Sequence, residues 1–175
     1  TEQIKFYNLL NVKKSLSNEE IIYLKEFLTA KDESLNSLNL AFAKDIFVLV
    51  IKKDCVINKP IEILYLSQST KDIICINPRL IVISEEYSDC AIVESCISDA
   101  EDYLWSNYVT DIRIENNAKL KHYKVQNESN KSFHTANYQV KIRSSGIYRH
   151  YLFNSGSSQS RNKINCKLLE SNSSC

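Results

Sequence analysis

A short polar corner that recurs at nearly constant spacing constrains this chain more than any other feature. An apolar residue ends a β-branched run, a polar turn follows, and a small or apolar residue opens the next run. The unit appears as Ile51-Lys52-Lys53-Asp54-Cys55, then between Ile83 and Cys90, as Ile114-Glu115-Asn116-Asn117-Ala118, as Ile142-Arg143-Ser144-Ser145-Gly146, and between Leu169 and Cys175. The leading residues Ile51, Ile83, Ile114, Ile142 and Leu169 step by 32, 31, 28 and 27 residues. A fixed corner in every repeat is the signature of a stacked solenoid. With strands and no helix between corners, the natural architecture is a parallel β-helix, with Ile83, Ile114, Ile142 and Leu169 stacked inward as a ladder. A two-sheet sandwich also accommodates short strands and turns, and is the alternative.

The strand signal begins at Ile46. Runs rich in Ile, Val, Tyr and Phe cover 46–51, 61–66, 80–84, 90–96, 109–115, 120–126, 138–143, 147–153 and 164–169, the composition of strands. The piece 99–107 reads as a loop or a single helical turn. Before residue 46 the pattern is helical. Ser17-Asn18-Glu19-Glu20 forms a capping box, followed by Ile21, Ile22, Leu24 and Leu28, and a second cluster runs from Leu35 to Phe42. The expected organisation is a helical segment over 1–45 and a β-helix core over 46–175.

Composition excludes several functions. The 22 basic and 21 acidic residues leave a net charge of +1, which gives no electrostatic basis for nucleic acid or an anionic membrane. No run is long and apolar enough to span a bilayer, and no secretory signal opens the chain. With two glycines in the whole sequence, a phosphate-cradling glycine loop has no material, and the Walker, dinucleotide, G-x-S-x-G and H-E-x-x-H motifs are absent. Turns must instead rely on Asn, Asp and Ser. The six cysteines at 55, 75, 90, 96, 166 and 175 form no C-x-x-C and read as reduced, mostly buried thiols. The chain has no Met and opens on Thr, and is read as a segment of a longer protein.

Several motifs in order then resemble the SufB/SufD family. They are Pro60-Ile61 entering a strand, Asn77-Pro78-Arg79-Leu80 opening a coil, Val93-Glu94, Asn116-Asn117-Ala118, and the strand from Leu120 to Glu128 with its Gln126-x-Glu128 close. Ser160-Arg161-Asn162 and Leu168-Leu169-Glu170 follow. The resemblance covers about residues 36–175 and departs at Ser155-Gly156-Ser157-Ser158, where the family usually carries a glycine pair. It implies a right-handed parallel β-helix and a SufD-like, non-catalytic scaffold of iron–sulfur cluster assembly. That scaffold pairs with SufB-like and SufC-like subunits, in the bacterial cytoplasm or, in a eukaryote, the plastid stroma. It also implies further coils and a helical tail beyond Cys175, and no cofactor or metal on this segment. Should a cluster bind here, Cys90, Cys96 and Cys166 would be its candidate ligands.

Individual residues carry weaker signals. Cys96, two places after Glu94, resembles the position of a sulfur-accepting thiol in SufB, but its sequence neighbours offer no Lys or Arg to stabilise a thiolate, and a core role is expected. Alternation places His122, Lys124, Gln126 and Glu128 on one strand face, opposite Tyr123 and Val125. A solvated outer face is the expectation, with an interaction surface or a polar lumen as alternatives. His134 and His150 read as structural or surface histidines. Glu85-Glu86 and Glu101-Asp102 read as solvated turns, and Arg161-Asn162 as a turn tie. Two other functions remain on residue grounds. A polysaccharide-processing β-helix enzyme would need an Asp cluster, with Ca²⁺ or an Arg or Lys base, that the strands do not show. A generic solenoid binding module is the other.

Overall fold

A computed structural model of the chain describes residues 3–11, 16–28, 34–68, 74–98 and 103–175. The order is β1 (Ile4–Asn8), a 3-10 turn (Leu9–Asn11), α1 (Asn18–Leu28), α2 (Ser34–Phe42), β2 (Ile46–Ile51), β3 (Ile61–Ser67), β4 (Ile74–Ile76), β5 (Arg79–Ser84) and β6 (Asp89–Ser98). Then follow β7 (Leu104–Ile114), β8 (Lys119–Glu128), β9 (Phe133–Ile142), β10 (Ile147–Gly156) and β11 (Gln159–Leu168). From β5 onward successive strands alternate between two sheets, which are ordered β1-β2-β5-β7-β9-β11, with β4 beside β7, and β10-β8-β6-β3. Every neighbour pair is parallel except β1 with β2. This is the expected parallel β-helix, and two antiparallel sheets face to face are excluded.

The corner is a stacked four-residue turn. In the turns 52–55, 85–88, 115–118 and 143–146 the fourth N–H donates to the first carbonyl. The third residue is left-handed each time: Asp54, Tyr87, Asn117, Ser145 and, in the last coil, Asn172 have φ of 60°, 58°, 58°, 55° and 57°. Amides at these positions donate to the next coil, as Asp54 N to Glu86 O and Asn117 N to Ser144 O. Asn and Asp suit such backbone, and Tyr87 does not.

The ladder needs correction at both ends. Register aligns Ile51, Ser84, Ile114 and Ile142, so the second rung is Ser84. Its hydroxyl is 2.7 Å from Ser88 Oγ. Ile83 faces outward, into a layer with Val48, Val50, Leu24 and Phe27 under α1. All six residues of β5 are buried, so its apolar run carries no alternation to betray the faces. Leu169 is 46% exposed. Leu168 pairs with Ile142 while Ser174 bridges Ile147, so the last coil carries one extra residue there and Leu169 leaves the ladder.

The N-terminal segment is not purely helical, since Ile4–Asn8 runs antiparallel to β2. The capping box forms as read: Ser17 N donates to Glu20 Oε2 at 2.8 Å and Glu20 N to Ser17 Oγ at 3.1 Å. Residues 104–107, expected as loop or helical turn, open β7. No helix among the described residues is long and apolar enough to cross a membrane.

Candidate functional site: a polar lumen

The space between the sheets is graded. Near the stacked corners it is apolar, built from Leu49, Val82, Ile92, Ile112, Leu120 and Val140. Toward the opposite corners, inward positions turn polar. Register across the smaller sheet gives the rows Ile92–His122–His150, Ile63–Glu94–Lys124–Leu152 and Tyr65–Cys96–Gln126–Asn154. His122, Lys124, Glu94 and Cys96 are all 0% exposed. The face carrying His122, Lys124, Gln126 and Glu128 is therefore the lumen and not the solvated exterior. Alternation identified the face, but strands buried on both sides give no sign of which face points inward.

Lys124 organises the centre. Its Nζ lies 2.7 Å from Cys96 Sγ and 3.9 Å from Glu94 Oε2, over the Tyr108 ring at 4.3 Å and 6.0 Å from the Tyr65 ring. Buried cations demand such partners. The missing basic neighbour of Cys96 is thus supplied by the next coil, 28 residues on. Glu94 accepts from Thr110 Oγ1 at 3.0 Å, and His122 Nε2 lies 3.1 Å from Glu94 Oε1. That nitrogen and Glu94 Oε2 lack an aligned hydrogen-bond partner among the described residues. Burial raises the Glu94 carboxyl, but His122, Lys124 and Thr110 outweigh it and hold it at about 2. His122 Nδ1 then reaches Tyr148 OH at 2.8 Å, which reaches His150 Nδ1 at 2.9 Å. Burial and His122 push His150 down to about 4.

A second cluster sits further along the same strands, with Glu128 on β8, the strand of Lys124, and Ser106 and Tyr108 on β7. Glu128 Oε2 is 2.7 Å from His134 Nδ1, and its Oε1 accepts from Ser106 Oγ at 3.2 Å and Tyr108 OH at 3.4 Å. The side chains are those of a nucleophilic triad, but the geometry is not. Ser106 Oγ, at 3.3 Å, and Glu128 both meet Nδ1, while Nε2 has no partner among the described residues. A triad needs the carboxylate and the hydroxyl on opposite ring nitrogens. Nothing here activates Ser106.

The cysteines named as ligands are not brought together. Cys90 packs in the apolar half, where burial pushes its thiol up to about 12. Burial also lifts Cys96 to about 11 despite Lys124. Cys166, on β11, lies 2.9 Å from Cys175. No group of three His, Cys, Asp or Glu could hold a metal ion among the described residues. Glu85 and Glu86 are not merely solvated, since Lys52 and Lys53 of the preceding coil meet them at 2.7 and 2.8 Å. Arg161 and Asn162 lie within β11, not at a turn, and Arg161 lines a shallow cleft with Lys163, Thr135 and Leu35. Glu101 and Asp102 fall outside the described residues.

The lumen's chemistry was visible in residue types, but its partners were not. The central contacts, Cys96 with Lys124 and Glu94 with His122, join residues about one coil apart, and no local signal links them.

The family model for the SUF system FeS cluster assembly SufBD core domain matches residues 65–175. Protein ABCI7, chloroplastic, of Arabidopsis thaliana is 36% identical over 104 residues, 56% of this chain and 22% of that protein. The iron–sulfur cluster assembly SufBD family protein slr0076 of Synechocystis is 28% identical over 144 residues, 78% of this chain and 32% of that protein. The chain thus spans less than a third of the length of either of these relatives. With a parallel β-helix and a match over most of its length, the chain belongs to the SufBD core family of the SUF iron–sulfur cluster assembly system.

Proposed function

We propose that the chain is the core of a SufD-like scaffold subunit, which supports cluster assembly without turnover of its own and pairs with SufB-like and SufC-like subunits. The observation that carries this reading is the enclosure of the lumen. Glu94, Cys96, His122 and Lys124, the residues with the most chemical potential, are all 0% exposed and are engaged with one another. Groups so enclosed serve the fold by satisfying each other across coils, and offer no reacting atom to an external substrate.

The bacterial cytoplasm or plastid stroma is the proposed compartment, in keeping with the chloroplastic relative.

Co-expression of the full-length protein with a SufB-like and a SufC-like subunit, one of them tagged, tests the reading. Recovery of all three in one defined complex is expected. A full-length protein that is folded but elutes alone would overturn the pairing.

A further inference from the structure

We propose that Cys96 and Lys124 form a covalent, reducible N–O–S bridge when the protein meets dioxygen. Three observations lead there. The first is distance. An amine–oxygen hydrogen bond spans roughly 2.7–3.2 Å, and sulfur's larger radius sets an ordinary N–H···S contact further out. Lys124 Nζ and Cys96 Sγ are 2.7 Å apart, a spacing suited to nitrogen and sulfur joined through one shared oxygen.

The second is enclosure. Both residues are 0% exposed, with the Tyr65 and Tyr108 rings beside the ammonium at 6.0 and 4.3 Å. A bulky thiol or disulfide cannot reach this sulfur, whereas dioxygen is small and weakly polar. The usual fate of an oxidised thiol, capture by a second thiol, is closed off. The third is the absence of a competing cysteine in the same row. Cys96 sits between Tyr65 and Gln126, and Cys90 on the same strand faces the apolar half.

The reaction balances with dioxygen as the oxidant. The Cys96 thiol, the Lys124 ammonium and one O₂ give Cys96–S–O–NH–Lys124, one water and one proton. The S–H bond, two N–H bonds and the O–O bond break; one S–O bond, one N–O bond and the two O–H bonds of water form, and the third hydrogen leaves as the proton. Sulfur and nitrogen each lose two electrons, and dioxygen takes up four. Once the chain is unfolded and the bridge accessible, four equivalents of thiol reverse it to thiol, amine and one water, with two disulfides formed. Bridging removes the Lys124 charge beside Glu94, leaving that carboxylate to His122 and Thr110, and fastens β6 to β8 through the lumen.

Intact-mass and peptide analysis of the full-length protein, purified under air and then unfolded and digested with and without a thiol reductant, tests this. The expected result without reductant is a cross-linked peptide containing both residues, heavier than its parts by about 14 Da, one oxygen less two hydrogens. It should vanish on reduction of the unfolded chain and be absent from Lys124→Arg and Cys96→Ser. The wild-type measurement is decisive even if a variant fails to fold. Recovery of both residues in unmodified, unlinked peptides after prolonged air exposure of folded protein would overturn the proposal. So would oxygen added to Cys96 alone.

Discussion

Arg79 Nη2 lies 2.6 Å from Asp111 Oδ2, and both side chains are 4% exposed at the seam between helices and sheet. The same guanidinium donates to Phe27 O in α1 at 3.1 Å and to Asn39 Oδ1 in α2 at 3.4 Å. Asn39 in turn donates to Pro78 O and Asn107 O at 3.0 and 2.7 Å. One buried charge pair thus ties both helices to β5 and β7.

Breaking that pair from one side strands a buried charge. Arg79→Leu or Asp111→Leu should each cost about 3–5 kcal/mol, and the double replacement should recover part of the loss. Urea unfolding followed by far-ultraviolet circular dichroism measures this. Additive losses would show that the two side chains do not act as a unit.

Two groups pull stability down on the acid side, while Asp111, raised by burial to about 6 against an ordinary 3.8, binds its proton first in the folded state and opposes them between about 6 and 3.8. His150 is held at about 4 against an ordinary 6.5, first by burial and then by His122. The unfolded chain therefore takes up this proton first, and stability is lost as pH falls from about 6.5 through 4. His134, also lowered by burial, adds in the same direction. Glu94 is held at about 2 against 4.5, burial being outweighed by His122, Lys124 and Thr110, so its contribution fades between about 4.5 and 2. Denaturant midpoints across pH should show His150→Phe flattening the upper stage and Glu94→Gln the lower. An unchanged profile in His150→Phe would contradict the assignment.

Corner chemistry gives a pair of opposite outcomes. Gly156 has φ of 76°, and a Cβ there would lie 1.8 Å from Glu128 O. Gly156→Ala should lose roughly 1–2 kcal/mol from left-handed backbone alone, and more from the collision. Tyr87 holds φ of 58° with its ring 56% exposed, so Tyr87→Gly should gain about 1 kcal/mol. Thermal melts of the two variants shifting in the same direction would refute the turn geometry.

Cluster uptake is the next expectation. Cys90, Cys96 and Cys166 lie in separate parts of the solenoid, and burial holds each thiol protonated, whereas cluster ligation needs convergent thiolates. Anaerobic reconstitution of the chain with iron and sulfide should leave no chelator-resistant visible absorption. A stoichiometric cluster would overturn this and make those three cysteines the positions to replace.

The solenoid was legible because its corner is local. Four consecutive residues fold back through one left-handed position, and Asp54, Asn117 and Asn172 advertise it. Where the sequence breaks that habit, with Tyr87 and the extra Leu169, the ladder was misregistered. β1 was missed because its five residues pair with β2 across the helices, a contact that no window of sequence contains. The lumen's residues were visible as the row His122, Lys124, Gln126 and Glu128, but their burial was not. Their partners come from neighbouring coils, so what reads as a solvated face is a network closed by stacking.

The central claim is that this polar interior serves the scaffold and not the chemistry. Its most direct test is anaerobic cluster assembly by the full-length protein with SufB-like and SufC-like subunits, comparing wild type with Cys96→Ser. Replacing the thiol with a hydroxyl keeps a partner for Lys124, so the complex should form and make clusters at an unchanged rate per folded complex. An intact Cys96→Ser complex that no longer builds clusters would contradict the account and place Cys96 on the path of the sulfur.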